Sequence, residues 1–344
     1  MISRIATTVL LVCALLVGTS VPALAQQSGE ENTKRAQTGM KFLSASLSPR
    51  VAGMGGTGTT LQLQSTALFY NPAGMAQMEN FGHAAVGTMQ WIADINYNSA
   101  SVSIRPAEGA YGVIGFTFMQ VDYGQLEGTR RAGNDQGYVS TGTFSPGSWA
   151  FGVGYAYPVT DRISVGAKVK YAKQDLGPSV MSADGTTKSN ELGTGAYDFG
   201  IQYDTDYRGI EVAMSVRNFS PEVQYEQQSF ELPMELSVGI STDIFEATDW
   251  LADPNDQHSF TVMVKGVTPR DFSERMHFGG EYTFMDIFSL RTGYTLPSTN
   301  VEEGVNFGAG LQTDISGFEL GADYSYTTYD VFDGVNRLGV NIGF

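Results

Sequence analysis

SWAFGVGYAY, residues 148–157, alternates large and small side chains with a strict period of two. A period of two places successive side chains on opposite faces of a β-strand. The stretch therefore predicts a strand with one bulky apolar face and one face of glycine and alanine. The bulky residues are Trp149, Phe151, Val153, Tyr155 and Tyr157.

The same alternation recurs further along the chain, with charged residues on the second face. A soluble β-sandwich would turn such a polar face to water and bury the apolar one, whereas an outer-membrane barrel turns the apolar face to lipid and lines its lumen with the polar one. If the chain is a barrel, these charges face the lumen and pair there. The predicted lumen-facing charges are Lys168, Lys170, Glu211, Arg217, Lys265, Arg291, Glu319, Asp323 and Arg337.

Two further patterns favour the barrel. Aromatic residues such as Tyr155, Tyr294 and Tyr326 lie near strand ends, as the aromatic girdles of membrane barrels do. The connections also alternate between short ones, such as 158–162, and long ones rich in glycine and polar residues, such as 175–192. Short periplasmic turns and longer outer loops are typical of outer-membrane barrels.

The C-terminal strand carries a row of apolar residues that ends on a terminal phenylalanine. This row resembles the signal by which the barrel-insertion machinery recognises its substrates. We predict an all-β protein, a transmembrane antiparallel barrel of about 14 strands within 81–344 that contacts outer-membrane lipid. The residues of the row are Leu338, Val340, Ile342 and Phe344.

The N-terminus predicts export. One basic residue, Arg4, precedes an apolar run and the small-residue site Ala23-Leu24-Ala25, which together indicate a signal peptide at 1–25. Cys13 is the only cysteine and lies within it, so the mature chain would form no disulfide. The formal net charge of −16 argues against a nucleic-acid partner. The predicted location is the outer membrane of a Gram-negative bacterium.

Gly53, Gly55 and Gly58 match G-x-G-x-x-G, the fingerprint of dinucleotide-binding folds. That motif needs a buried strand before it and a helix after it, and the sequence offers neither. No cofactor is therefore predicted. We expect 26–80 to form a separate segment before the barrel, capped by Asn71 and with Pro72 opening a short helical turn.

Residues 48–78, SPRVAGMGGTGTTLQLQSTALFYNPAGMAQM, resemble the N-terminal segment of the PorV/PorQ family and, more distantly, of FadL-type fatty-acid channels. The resemblance implies that 26–80 is a hatch, or plug, inside the lumen. We expect Gly53, Gly55, Gly56 and Gly58 to permit positive φ and to let the backbone press against the barrel wall. The hatch residues carried over are Gly53, Gly55, Gly56, Gly58, Asn71, Pro72, Ala73 and Gly74.

The resemblance predicts a PorV/PorQ-type function, with a FadL-like channel as the alternative. A PorV/PorQ-type barrel would be an accessory of type IX secretion that binds secretion components or cargo at the outer face. A FadL-like barrel would be a hatch-gated channel for long-chain fatty acids or other hydrophobic small molecules. Gly74 departs from the lysine common in PorV at that position, and the charged lumen offers no long apolar path.

No catalytic or metal site is predicted. The histidines His83, His258 and His277 are far apart and lack metal-ligand spacing. The acidic residues between Asp243 and Asp256 lack the glycine and glutamate positions of a calcium loop, so we interpret them as a periplasmic turn. The protein is predicted not to be an enzyme.

Overall fold

The computed structural model describes residues 38–182, 185–248, 257–296 and 303–344. The predicted signal peptide 1–25 with Cys13, and the first part of the predicted hatch, 26–37, lie outside the described residues. Within the described ranges, fourteen antiparallel strands close into one barrel. In chain order they are β1 (Gly82–Gln90), β2 (Asn96–Ile104), β3 (Val113–Asp122), β4 (Gly147–Pro158), β5 (Ile163–Asp175), β6 (Glu191–Asp204), β7 (Glu211–Phe219), β8 (Glu235–Asp243), β9 (His258–Pro269), β10 (Arg275–Phe284), β11 (Phe288–Leu296), β12 (Glu303–Ile315), β13 (Phe318–Tyr329) and β14 (Val335–Gly343).

Each strand pairs with its neighbours in sequence, and β14 pairs back onto β1. Val86 lies opposite Val340 in this seam, and the register continues without a shift along it. Closure leaves no strand edge unpaired, which a bilayer requires because lipid cannot hydrogen-bond to backbone groups.

Side chains alternate across the wall, as the period of two predicts. On β5, Val169 faces outward and is 56% exposed, whereas the neighbouring Lys168 faces the lumen and is 5% exposed. The outer face of the barrel is apolar and the inner face carries the charges, which is the arrangement of a membrane barrel. Within the described part of the chain, no helix is both long and apolar enough to span a membrane.

The two ends of the barrel differ in the length of their connections. At one end the turns are short, as at 159–162 and 316–317, and we call this the periplasmic end. At the other, the outer end, the connections are longer, and one of them folds into a hairpin of Leu126–Arg131 with Tyr138–Phe144. The acidic connection after β8 is at the periplasmic end. It opens with a short helix, Ile244–Ala247, capped by Asp243, and its residues 249–256 lie outside the described chain.

One bulge interrupts the wall between β6 and β7. Asn218 has a φ of 59°, and the register shifts between Tyr197 and Phe199. The backbone N–H of Asn218 donates to Asp198 Oδ1 over 2.7 Å, and Lys170 Nζ donates to the same carboxylate oxygen over 2.7 Å. The extra residue is therefore held by a buried side-chain network rather than by the strand ladder.

Residues 38–80 lie inside the lumen and are called the hatch from here on. The hatch has little regular structure, with short turns joined by extended segments. It is packed against glycines of the wall at many points, and at Gly166, Gly293 and Gly308 backbone meets backbone. Its elements are the α-helical turn Pro49–Gly53 and the 3₁₀ turns Lys41–Ser44, Gln64–Phe69 and Pro72–Met75.

Two apolar clusters hold the hatch in place. The outer cluster joins Met40, Phe42 and Leu43 of the hatch to inward-facing residues of the first strands, including Met89 and Met119. The inner cluster is built mostly from the hatch itself, around Val51, Leu68 and Met75. The lumen is thus filled by a packed core, as in a soluble protein.

Candidate functional site

The interface between hatch and wall is the candidate functional site. Three wall cations donate hydrogen bonds to backbone carbonyl oxygens of the hatch. Lys168 Nζ reaches Leu68 O over 2.9 Å, Arg217 reaches Phe69 O over 2.6 Å, and Arg337 Nε reaches Ser46 O over 2.9 Å. Hydrogen bonds from charged donors are stronger than neutral ones, so these contacts fasten the hatch at two levels of the lumen.

A cation of the hatch, Arg50, also binds a carboxylate of the wall. Arg50 makes a two-pronged ion pair with Glu281, with distances of 2.9 and 2.6 Å. Glu281 also accepts from Arg291, which reaches Asp323 over 2.5 Å. A buried carboxylate between two guanidinium groups has its lone pairs satisfied, which offsets the cost of burying it.

The remaining predicted lumen charges also face inward. Lys170 binds Asp198, Lys265 lies 3.8 Å from Glu235, Glu211 accepts from Gln202 over 2.8 Å, and Glu319 accepts from Asn80 over 2.7 Å. The nine predicted charges therefore line one lumen, in several separate groups of contacts. They lie at several heights along it rather than in one cluster.

Three of the carboxylates that pair with these cations, Asp198, Glu235 and Glu281, were not among the predicted site residues. Asp198 and Glu281 are almost fully buried, and Glu235 pairs with Arg217 over 2.8 Å. The alternation contains the signal for Asp198, because this residue lies between Tyr197 and Phe199, which both face outward. Glu235 has no such signal, since it is the first residue of its strand.

The Asn-Pro-Ala element forms a capped 3₁₀ turn against the wall. Asn71 Oδ1 accepts from the N–H of Ala73 over 3.1 Å, and Pro72 occupies the first position of the turn. Asn71 Nδ2 donates to Thr59 O over 2.8 Å, which ties the turn to an earlier part of the hatch. The predicted cap is present, and Asn71 also links the turn to Thr59.

The hatch glycines divide into two groups. Gly55 and Gly56 adopt positive φ, and a Cβ on Gly55 would lie 2.9 Å from the wall nitrogen of Tyr294. Gly53 also meets the wall, since its Cβ position is 3.0 Å from Gly308 Cα, but it lies within a helical turn.

For Gly58 the predicted wall contact is wrong, because the nearest atoms to its Cβ position belong to the Val51 side chain of the hatch. Gly74, for which no wall contact was predicted, also packs within the hatch, with its Cβ position 2.7 Å from Leu61 O. Positive φ is likewise found only at Gly55 and Gly56 of the four clustered glycines. At Gly58 and Gly74, glycine is required because other hatch residues pack too closely to leave room for a Cβ.

The C-terminal row lies on the outer face of β14. Leu338 and Val340 are exposed on that face, and Phe344 follows just beyond the strand. The Phe344 ring packs on Phe81 at 6.5 Å between centroids, next to the barrel seam. The row thus presents apolar side chains towards lipid.

A cavity of about 400 Å³ opens at the outer end of the lumen, and we call it the vestibule. One side is aromatic, with Trp91, Tyr97 and Tyr329, and the other carries charged residues such as Arg275 and Glu303. The vestibule borders the hatch residues of the outer apolar cluster. An entering molecule would therefore meet apolar and charged surfaces together.

A smaller cavity of about 160 Å³ lies towards the periplasmic end, beside His83. Ser65 Oγ is 2.7 Å from His83 Nδ1 and 2.8 Å from Ser101 Oγ. Ser65 is 0% exposed, so this pair joins hatch to wall and offers no nucleophile to a substrate. Among the described residues, no group of three or more histidine, cysteine or carboxylate side chains could hold a metal ion.

Solved structures with a similar fold include two hydrocarbon transport proteins. The CymD monoaromatic hydrocarbon channel matches with a TM-score of 0.55 and 13% identity over 87% of this chain and 97% of that one. The toluene transporter TodX of Pseudomonas putida matches with a TM-score of 0.54 and 11% identity over 85% of this chain and 96% of that one. This chain has the fold of these two channels.

The predicted fold class and the outer-membrane location are thereby confirmed. At these identities the matches show the fold alone, and they carry nothing about PorV or PorQ. A scan of protein-family models and a search of curated proteins found no match.

Proposed function

We propose that this FadL-like barrel is a hatch-gated channel that takes up hydrophobic small molecules. One observation carries the proposal, an apolar sector on one side of the outer lumen that the hatch itself occupies. The hatch residues in it are Met40, Phe42, Leu43 and Leu47, and the wall residues are Met89, Tyr97, Met119 and Val121.

The sector has a physical consequence for gating. Apolar side chains that face a water-filled lumen would cost about 25 cal/mol for each Å² left uncovered. The hatch removes that cost by covering them, and an apolar molecule of suitable shape could do the same. A hydrophobic ligand would compete with Phe42 and Leu43 for the wall, whereas a polar solute would not.

The vestibule adds a polar feature to this apolar site. Among the described residues, neither Arg275 nor Arg337 has a carboxylate within 4 Å, although both line the vestibule. A molecule with an apolar body and an acidic head, such as a fatty acid, would use both features. A hydrocarbon would use the apolar sector alone, and CymD and TodX are described as a monoaromatic hydrocarbon channel and a toluene transporter.

Uptake into a Gram-negative host that lacks channels of this kind would test the proposal. Labelled oleate and labelled toluene would be compared in cells that carry the protein or an empty vector. Met119→Gln should lower uptake several-fold, because it places an amide in the apolar sector. The neighbouring Phe118→Leu, on the lipid face of the same strand, should not. Equal uptake with protein and empty vector would refute the channel.

A secretion accessory of PorV/PorQ type is a second proposal, and one feature favours it. A crevice of about 730 Å³ lies between the outer connections 176–190 and 220–234, lined by Leu176, Tyr225 and Phe230. Such a crevice could hold a segment of another protein. This proposal requires cargo with C-terminal sorting domains in the same genome. Disrupting the gene should then trap that cargo in the periplasm, whereas the channel proposal leaves its secretion unchanged.

A further inference from the structure

We infer that the hydroxyl of Tyr70 keeps the lumen closed, by fixing hatch residues 46–48 between the vestibule and the smaller cavity beside His83. The inference rests on the proposed channel function, because it names the contact that regulates passage through the hatch. Tyr70 belongs to the hatch and directly precedes the Asn-Pro-Ala turn.

The two cavities meet at one irregular stretch of the hatch. Ala45 and Ser46 line the vestibule, and the next two residues, Leu47 and Ser48, line the smaller cavity. Residues 45–48 belong to no helix or strand, since they connect the first two turns of the hatch. The barrier on this side of the lumen is therefore a short piece of chain whose backbone groups need partners elsewhere.

The barrel wall offers this stretch little to pack against. Gly87 of β1 and Gly339 of β14 lie opposite each other across the seam. A Cβ on Gly339 would be 3.1 Å from Pro49 Cδ, and one on Gly87 would be 3.9 Å from Leu47 O. Two glycines provide no side chain that could fill the lumen or bind the stretch. Displacing the stretch would therefore leave an opening along the seam.

Tyr70 holds the stretch from the hatch side. The N–H of Ser48 donates to Tyr70 Oη over 2.8 Å, and Ser46 Oγ is 3.2 Å from the same oxygen. One hydroxyl thus contacts both neighbours of Leu47. The wall adds the hydrogen bond from Arg337 Nε to Ser46 O. Without the Tyr70 hydroxyl, the N–H of Ser48 would lose its partner.

The position of the hydroxyl is fixed by the wall. Tyr70 is 6% exposed, and the Arg217 guanidinium lies 5.8 Å from the centroid of its ring. Arg217 also donates to the carbonyl of Phe69, the preceding residue. Tyr70 lines the vestibule, so a molecule that binds there and moves the ring would release Ser46 and Ser48 together. Binding in the vestibule and opening of the passage are thereby linked through one side chain.

Single-channel recording in a planar bilayer tests the role of the hydroxyl. Tyr70→Phe removes one oxygen and keeps the ring. The fraction of time spent in an ion-conducting state should rise about fivefold, as expected for the loss of one hydrogen bond. Tyr123→Phe is the matched control, because Tyr123 also lines the vestibule but its hydroxyl lies 3.4 Å from Ser148 Oγ of the wall. No rise in Tyr70→Phe, or an equal rise in both variants, would overturn the inference.

Two cysteine variants in the Tyr70→Phe background test the route. Ala85→Cys places a thiol in the smaller cavity, and Ala84→Cys places one on the opposite, lipid-facing side of β1. A charged methanethiosulfonate should remove most of the added conductance of the first variant and leave that of the second unchanged, with Tyr70→Phe alone as the blank. No loss at Ala85→Cys, or an equal loss at both positions, would overturn the inference. Heat-modifiable migration on a denaturing gel would show that each variant forms a folded barrel.

These measurements separate failure of the inference from failure of the proposed function. Ion conductance reports an open lumen whatever the protein transports, whereas uptake of oleate or toluene reports the substrate. Conductance that responds to Tyr70→Phe without any uptake would support the Tyr70 contact and refute the channel for hydrophobic molecules. Uptake by a protein whose conductance does not respond to Tyr70→Phe would support the channel and overturn the Tyr70 contact.

Discussion

Lys168 in the barrel wall donates a hydrogen bond from Nζ to the backbone carbonyl of Leu68 in the hatch, over 2.9 Å. The ammonium group also lies 5.0 Å from the centroid of the Phe69 ring and 3.9 Å from Asp198. The wall thus binds the main chain of the hatch. This hydrogen bond does not depend on which side chain the hatch carries at position 68.

Removing the Lys168 donor should loosen the hatch while the barrel stays closed. Lys168→Met keeps most of the side-chain volume and loses a hydrogen bond from a charged group, a contribution of about 1.5–3 kcal/mol. Hydrogen exchange of the amides around Leu68 should accelerate. Lys188→Met is the control, because Lys188 pairs with Glu226 in the outer connections, where that hydrogen bond raises the pKa of Lys188. Equal protection of Leu68 in both variants would refute the assignment.

Asn71→Ala should weaken the Asn-Pro-Ala turn by about 1 kcal/mol or more. The variant loses the cap on Ala73 and also the bond from Nδ2 to Thr59 O. Exchange of the Ala73 amide should accelerate about fivefold or more. Asn134→Ala, which removes a similar bond to Tyr138 O in an outer connection, should leave Ala73 protected.

Gly55→Ala should displace the hatch locally and raise ion conductance in a planar bilayer. The variant combines a φ of +65° with a Cβ only 2.9 Å from Tyr294 N, and this backbone atom cannot rotate away. Gly124→Ala is a matched control, since its φ is +75° but nothing lies within 4 Å. Conductance that rises equally in both variants would assign the effect to backbone strain instead of to the contact.

A disulfide between positions 38 and 231 should hold the outer end of the hatch. Thr38 and Glu231 are direct neighbours in a parallel bridge. If uptake requires the hatch to move away from the apolar sector, oxidised Thr38→Cys/Glu231→Cys should transport at least tenfold less than the reduced form. Uptake by each single variant should be the same with and without the reductant. Unchanged uptake after verified oxidation would show that this end of the hatch does not move.

Adjacent residues of β3 should report opposite environments. Phe118 is exposed on the outer face and Thr117 is buried in the lumen. A nitroxide attached at Phe118→Cys should be relaxed by oxygen dissolved in lipid, and one at Thr117→Cys should not. The reverse pattern would mean that the strand is shifted by one residue.

The alternation in the sequence was sufficient to predict the barrel wall. A period of two reports directly which face each residue takes, and a lipid exterior makes the apolar face unambiguous. Lys170 and Arg217 could be placed in the lumen for this reason. The alternation also places Asp198 in the lumen, but which cation each of Asp198 and Glu235 pairs with depends on how neighbouring strands align, which no local pattern contains.

The path of the hatch could not be predicted in the same way. Its anchors join residues far apart in the chain, such as Thr38 and Asp271 at a separation of 233. The glycine motif indicated a special backbone at 53–58, but only Gly55 and Gly56 adopt positive φ. A glycine required for close packing and one required for φ look identical in a sequence, so Gly58 was placed against the wrong surface.

The glycines at the contact of Gly55 with the wall restrict how this protein can vary. Gly55 meets the backbone around Gly293, which is paired across strands with Gly279. Both surfaces already carry the smallest residue, so an enlargement on one side has no compensating reduction on the other. At most packed contacts, a larger residue on one side can be compensated by a smaller residue on the other. At this contact that is not possible, and relatives that keep the hatch in this position should have glycine on both sides.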